Sequence, residues 1–99
     1  MTSPDLRQQL DHALRGVSLR SRIRRVSLFG SHARGTARPG SDVDLLVEFS
    51  APVGFFDLSR VQRQLEDSLR RPVDLVTPAS LSPHIRGEVL RDAVLVYES

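Results

Sequence analysis

Apolar residues recur along this chain with two different spacings, and the switches between them divide it into elements. Leu6, Leu10, Ala13 and Leu14 share one helical stripe in SPDLRQQLDHALRG, with Ser3 as N-cap, Pro4 at the first helical position and Gly16 as the stop. IRRVSLF, residues 23–29, is rich in branched and aromatic side chains and ends at Gly30, which predicts a strand. GSHARGTARPGS then reads as a loop with room for one helical turn near His32–Arg34. In DVDLLVEF, residues 42–49, strict alternation sets Val43, Leu45, Val47 and Phe49 on one face, and Asp42, Asp44, Leu46 and Glu48 on the other. Helical spacing returns with Leu58, Val61, Leu65 and Leu69 across residues 55–70, and Glu66 and Arg70 are spaced to pair outside that stripe. PVDLV, residues 72–76, predicts a short strand with Asp74 opposite Val73 and Leu75. SPHIRGEVLRDA repeats the Ser-Pro helix start at Ser82 and Pro83, and VLVYE closes as a short strand or docked tail.

The fold class that follows is α/β (α+β), a small mixed sheet of three or slightly more strands flanked by helices. The helix between the second and third strands is long enough for a crossover, so these strands are expected to be parallel and the connection right-handed. A chain of 99 residues supports one core, and residues 1–99 are therefore read as one domain.

Composition narrows the chemistry. At 39% hydrophobic and 26% charged the chain is globular rather than disordered. No apolar run reaches membrane-spanning length and the first residues lack a signal-peptide pattern, so no membrane association and a cytoplasmic location are expected. The absence of cysteine excludes thiolate catalysis and cysteine metal sites. All 14 basic residues are arginine, which excludes a lysine nucleophile. Seven of them lie between residues 12 and 41, where there is no acid, whereas residues 42–99 carry six arginines against ten acids. A basic wall thus gives way to carboxylates at Asp42.

Asp42 and Asp44 stand two residues apart on a strand, on one face, with α-carbons about 6.6 Å apart. If the second and third strands are neighbours, Asp74 reaches the same region. Converging carboxylates repel unless a cation lies among them, and an all-oxygen ligand set selects magnesium or manganese. Magnesium shares its shell readily with phosphates, and the preceding loop offers the means to hold them. Gly30 allows close backbone approach, Ser31 supplies a hydroxyl, and Arg34 and Arg38 supply guanidinium forks. Ser41, at the end of the loop, is placed with this phosphate-holding set.

GSHARGTARPGSDVD, which is Gly-Ser, ten residues, Asp-x-Asp, resembles the signature of the DNA polymerase beta type nucleotidyltransferase superfamily. The short length, the texture of the following SDVDLLV and the later VDLV are similar to its minimal nucleotidyltransferases (MNT), antitoxins of HEPN/MNT toxin-antitoxin pairs. The resemblance covers roughly residues 22–92 and implies a polymerase-beta-like fold with Gly30 and Ser31 at the nucleotide phosphates. It implies Asp42, Asp44 and Asp74 as metal ligands and catalytic residues, with two magnesium ions. The implied reaction is attack of a hydroxyl on the α-phosphorus of ATP, with pyrophosphate leaving. The implied acceptor is a tyrosine of a partner HEPN toxin, silenced by AMP, and no template nucleic acid is expected. Two other readings stay open: an antitoxin that acts by binding and occlusion, and a transferase acting on a small molecule or RNA end. Outside this set, Glu48 is read as a surface or salt-bridged residue, His32 as solvent-facing, and His12 and His84 as structural. Arg22, Arg24 and Arg25 are read as solvated or partner-facing.

Overall fold

The computed structural model describes residues 4–38 and 40–99. The expected helix forms as α1 (Pro4–Arg15), while its proposed cap, Ser3, lies outside the described residues. Leu6, Leu10, Ala13 and Leu14 are buried as the spacing requires, and Asp11 pairs with Arg15 at 2.9 Å on the exposed side. A short 3-10 turn at Arg20–Arg22 leads into β1 (Ile23–Phe29). One helical turn, α2 (Gly30–Arg34), follows immediately. The remaining elements are β2 (Val43–Phe49), α3 (Phe55–Leu69), β3 (Val73–Val76), a 3-10 turn at Pro78–Ser80, α4 (Pro83–Asp92) and β4 (Val94–Glu98).

The sheet order is β3-β2-β1-β4. β1 lies antiparallel to β2 and β4, and β2 lies parallel to β3 across the α3 connection, so the sheet is mixed as expected. The terminal VLVYE segment is the fourth strand, pairing Tyr97 with Val26. Tyr97 is itself buried, which anchors this edge.

Two apolar clusters cover the two faces. The larger joins α1 and the Val61, Leu65 and Leu69 stripe of α3 to Val26, Leu28, Val43, Leu45 and Val47. The smaller joins Leu46, on the opposite face of β2, to Leu81 and Val89, with Phe29 and Val76 packed beside it. Leu46 explains why the polar face of β2 is interrupted by one leucine: α4 lies over it. Full burial of such a side chain contributes about 1.5–3 kcal/mol. The expected side-chain pairing of Glu66 with Arg70 is replaced by a different one. Glu66 Oε2 accepts a hydrogen bond from the Val73 backbone N–H at 3.0 Å and so fixes the start of β3.

Leu65 is fully buried whereas Phe56 is 83% exposed. Leu65→Ala should therefore lower unfolding free energy by about 2–5 kcal/mol. Phe56→Ala should stay within about 0.5 kcal/mol of the parent chain in the same urea titration.

Candidate active site

The site is built at one end of the sheet, where β1 finishes and β2 and β3 begin. Because β1 and β2 are antiparallel, Phe29 pairs with Asp44, and the chain reaches Gly30 directly beside that carboxylate. Gly30 adopts φ 74°, a conformation that disfavours residues with a Cβ. A methyl group there would overlap Asp44 Oδ2 and lie 3.1 Å from Asp44 Cγ. Glycine is thus required twice at this point, by backbone conformation and by the seat of Asp44.

Parallel pairing sets Asp44 opposite Asp74, with Val43 opposite Val73. Neighbouring strands lie about 4.8 Å apart, so the two carboxylates face solvent side by side. Asp42 stands just ahead of β2 and is exposed, Asp44 is half-buried, and Asp74 is exposed. Burial pushes the Asp44 carboxyl above its ordinary value, and the charges of Asp74 and then Asp42 push it further, while His32 and Arg34 pull it back. The structure therefore brings the three predicted carboxylates into electrostatic contact on one face.

The loop residues divide. Ser31 opens α2 next to Gly30 and is half-buried, and its carbonyl accepts the Thr36 N–H at 2.9 Å. Arg34 pairs with Asp92 of α4 at 3.4 Å while remaining close enough to influence Asp44. Arg38 points into a cavity with Arg70 and Arg71. Ser41 Oγ accepts the Arg38 backbone N–H at 2.9 Å, so its hydroxyl shapes the loop. His32 differs from its expected solvent-facing position: it is half-buried on α2, with Nε2 3.4 Å from the Ser41 carbonyl oxygen. The helical turn expected near His32–Arg34 forms, and His32 lies on it half-buried rather than facing solvent. Glu48 is salt-bridged as expected, to Arg25 at 3.5 Å. Arg25 also reaches Glu98 at 3.6 Å, so it ties β1 to both neighbours instead of standing free. His12 and His84 lie on helices and are exposed, so neither has a packing role.

The donor chemistry suits a hard divalent cation, since Asp74 and Asp42 both act on the half-buried Asp44 and all three offer oxygen alone. Among the described residues, no group of three His, Asp or Glu side chains stands close enough to hold an ion as placed.

The sequence model of the nucleotidyltransferase domain family matches residues 10–96. The chain belongs to this family. It is 40% identical over 74 residues to protein adenylyltransferase MntA of Thermococcus cleftensis, covering 75% of each chain. A solved structure of a candidate minimal nucleotidyltransferase is 39% identical, with a TM-score of 0.77 and 95% of both chains covered. Two more distant solved structures share the fold. One is a toxin-antitoxin with AMP-PNP (22% identity, TM-score 0.78, 94% of this chain and 73% of that one). The other is a tri-AMPylated Shewanella oneidensis HEPN toxin in complex with MNT antitoxin (19% identity, TM-score 0.70, 94% and 70%). The family expected from the Gly-Ser and Asp-x-Asp spacing is thus borne out.

Two substitutions test this geometry. Gly30→Ala should abolish nucleotide transfer and lower the melting temperature, because the methyl group displaces Asp44. Asp44→Asn should melt at or above the parent temperature at neutral pH without divalent metal. A carboxyl held above its ordinary value binds its proton more tightly when folded, so native stability falls as pH rises through the interval between the two values. The advantage of the asparagine variant should therefore vanish as pH drops below the ordinary value of 3.8.

Proposed function

We propose that this protein transfers AMP from ATP to a tyrosine hydroxyl of a HEPN-domain partner and neutralises that partner as its antitoxin. The observation that carries the reading is the seat of Asp44, pressed against Gly30 on one side and in register with Asp74 on the other. A catalytically idle fold would have no need to hold like charges at this spacing. The named adenylyltransferase relative, and the complexes of the same fold with AMP-PNP and with an AMPylated HEPN toxin, support both the nucleotide and the partner class.

Gly30 and Ser31 receive the leaving phosphates, through close backbone approach and the Ser31 hydroxyl. Arg34 supplies a guanidinium to them when it exchanges its exposed contact with Asp92 for phosphate oxygens. Asp42, Asp44 and Asp74 would hold magnesium, or manganese, as two ions. Bound there, the ions would offset the repulsion among the carboxylates and lower the pKa of the attacking hydroxyl. Asp74, exposed on the edge strand, stands where it can accept the hydroxyl proton. In the transfer, the tyrosine oxygen bonds to the α-phosphorus, the α,β-bridging oxygen leaves with pyrophosphate, and the tyrosine proton passes to the carboxylate. Positioning of the two reactants supplies much of the acceleration.

Co-expression with the partner, followed by intact-mass measurement, tests this. The parent chain should add one or more AMP groups that persist, with inactivity of the toxin, after the antitoxin is removed. Asp42→Ala/Asp44→Ala should still bind the partner but leave its mass unchanged. If the double variant protects cells as well as the parent at matched expression, with no mass change on the partner in either case, occlusion replaces transfer.

A further inference from the structure

Pairing of β2 with β3 begins at Val43, so Asp42 stands just outside the ladder that sets Asp44 beside Asp74. Its carboxylate is aimed by the loop that delivers it. Residues 35–41 lead from α2 back to the sheet, with Gly35 and Gly40 at φ 75° and 86°. Thr36 N–H donates to the Ser31 carbonyl at 2.9 Å, which closes the first half of the loop onto α2. The second half closes on itself. Ser41 N–H donates to the Arg38 carbonyl, and Arg38 N–H donates to Ser41 Oγ, both at 2.9 Å. Neither closure ties the turn from Arg38 to Ser41 back to α2.

His32 supplies that tie. Its Nε2 lies 3.4 Å from the Ser41 carbonyl oxygen, and only an N–H at that nitrogen can donate to it. Nε2 carries a proton both in one neutral tautomer and in the imidazolium, so the contact does not depend on the charge of the ring. The base of the ring is fixed, because Ala33 beside it is buried in the larger core and Gly30 is seated against Asp44. The carbonyl it holds belongs to the peptide group whose nitrogen is that of Asp42. A peptide unit is planar, so fixing this oxygen fixes the plane from which the Asp42 α-carbon departs. On the far side of Asp42, Val43 N–H donates to the Pro72 carbonyl at 2.9 Å. Asp42 is thus held between two anchored peptide groups, one by the residue before β3 and one by His32.

His32 also pulls the Asp44 carboxyl back toward its ordinary value, which places the ring near the second carboxylate of the Asp-x-Asp pair. We propose that His32 is the positioning residue for Asp42, holding it through the Ser41 carbonyl so that the carboxylate keeps its place beside Asp44. The ring touches no reactant and acts only through the peptide it holds. The Gly30–Ser31 turn and Asp42 then move as one body, and an ion at the carboxylates meets phosphates at that turn in a fixed geometry. This inference rests on the reading of Asp42 as a metal ligand.

The test uses the full chain without partner or nucleotide, and manganese alone as the probe. His32→Phe and His32→Leu remove the donor with and without a ring, whereas His32→Gln keeps an N–H at the reach of Nε2. In the Phe and Leu variants, manganese followed by electron paramagnetic resonance should bind about tenfold more weakly than to the parent. With no metal present, NMR relaxation of the Asp42 amide should show its order parameter falling from about 0.85 to below about 0.6. Asp44, held by β2, should keep the parent value, which a general loosening of the fold would not allow. His32→Gln should restore the order of Asp42 and bring manganese affinity within about threefold of the parent. Unchanged Asp42 order in either folded donor-free variant overturns the proposal, as does a Gln variant that fails as badly as Leu. If Asp42→Ala binds manganese as tightly as the parent, the ligand reading of Asp42 falls alone, since the order parameters still decide whether His32 holds it.

Discussion

Everything at the working end of this protein depends on the close approach of the Asp44 carboxylate to the backbone of Gly30. Antiparallel pairing delivers Gly30 to that spot, a positive φ turns the chain into α2, and the missing Cβ leaves room for Oδ2. Parallel pairing on the other edge then sets Asp74 alongside. One carboxylate therefore joins the Gly30 turn to the start of β3, and a change in either pairing register would separate them.

Such an arrangement opposes folding locally, because burial and two neighbouring acids all disfavour the charged form of Asp44. It persists because the sheet beneath it is over-determined. Val43 and Leu45, the residues flanking Asp44, are fully buried in the larger core, and Leu46 is held by α4 on the carboxylate face. Stability supplied by α1 and α3 on one face is thus spent on electrostatic tension at the end of the other. The basic residues complete the balance: Arg34 stays near enough to moderate Asp44 while resting on Asp92.

Much of this was legible in the sequence because it rests on period and spacing. Alternation in DVDLLVEF assigned Asp44 to the face opposite Val43 and Leu45, and the length of α3 implied the parallel pairing that brings in Asp74. What escaped depends on contacts between distant segments. Nothing local marks Asp92 as the partner of Arg34, 58 positions away, or Arg25 as a tie between Glu48 and Glu98. Arg70 reads as the end of a helix, and only the fold brings it and Arg71 to the cavity that Arg38 also lines. His32 was misplaced for a similar reason, since its inward turn depends on Ser41 across the loop.

The claim that the carboxylates act as one electrostatic unit can be measured directly by following the side-chain carboxyl carbons by NMR as pH is varied, in buffer free of divalent metal. Asp44 should titrate above the ordinary value of 3.8, and Asp74→Asn should bring its midpoint down, since it removes the larger of the two neighbouring charges acting on it. An Asp44 that titrates at or below the ordinary value, and that does not respond when Asp74 is neutralised, would contradict the account.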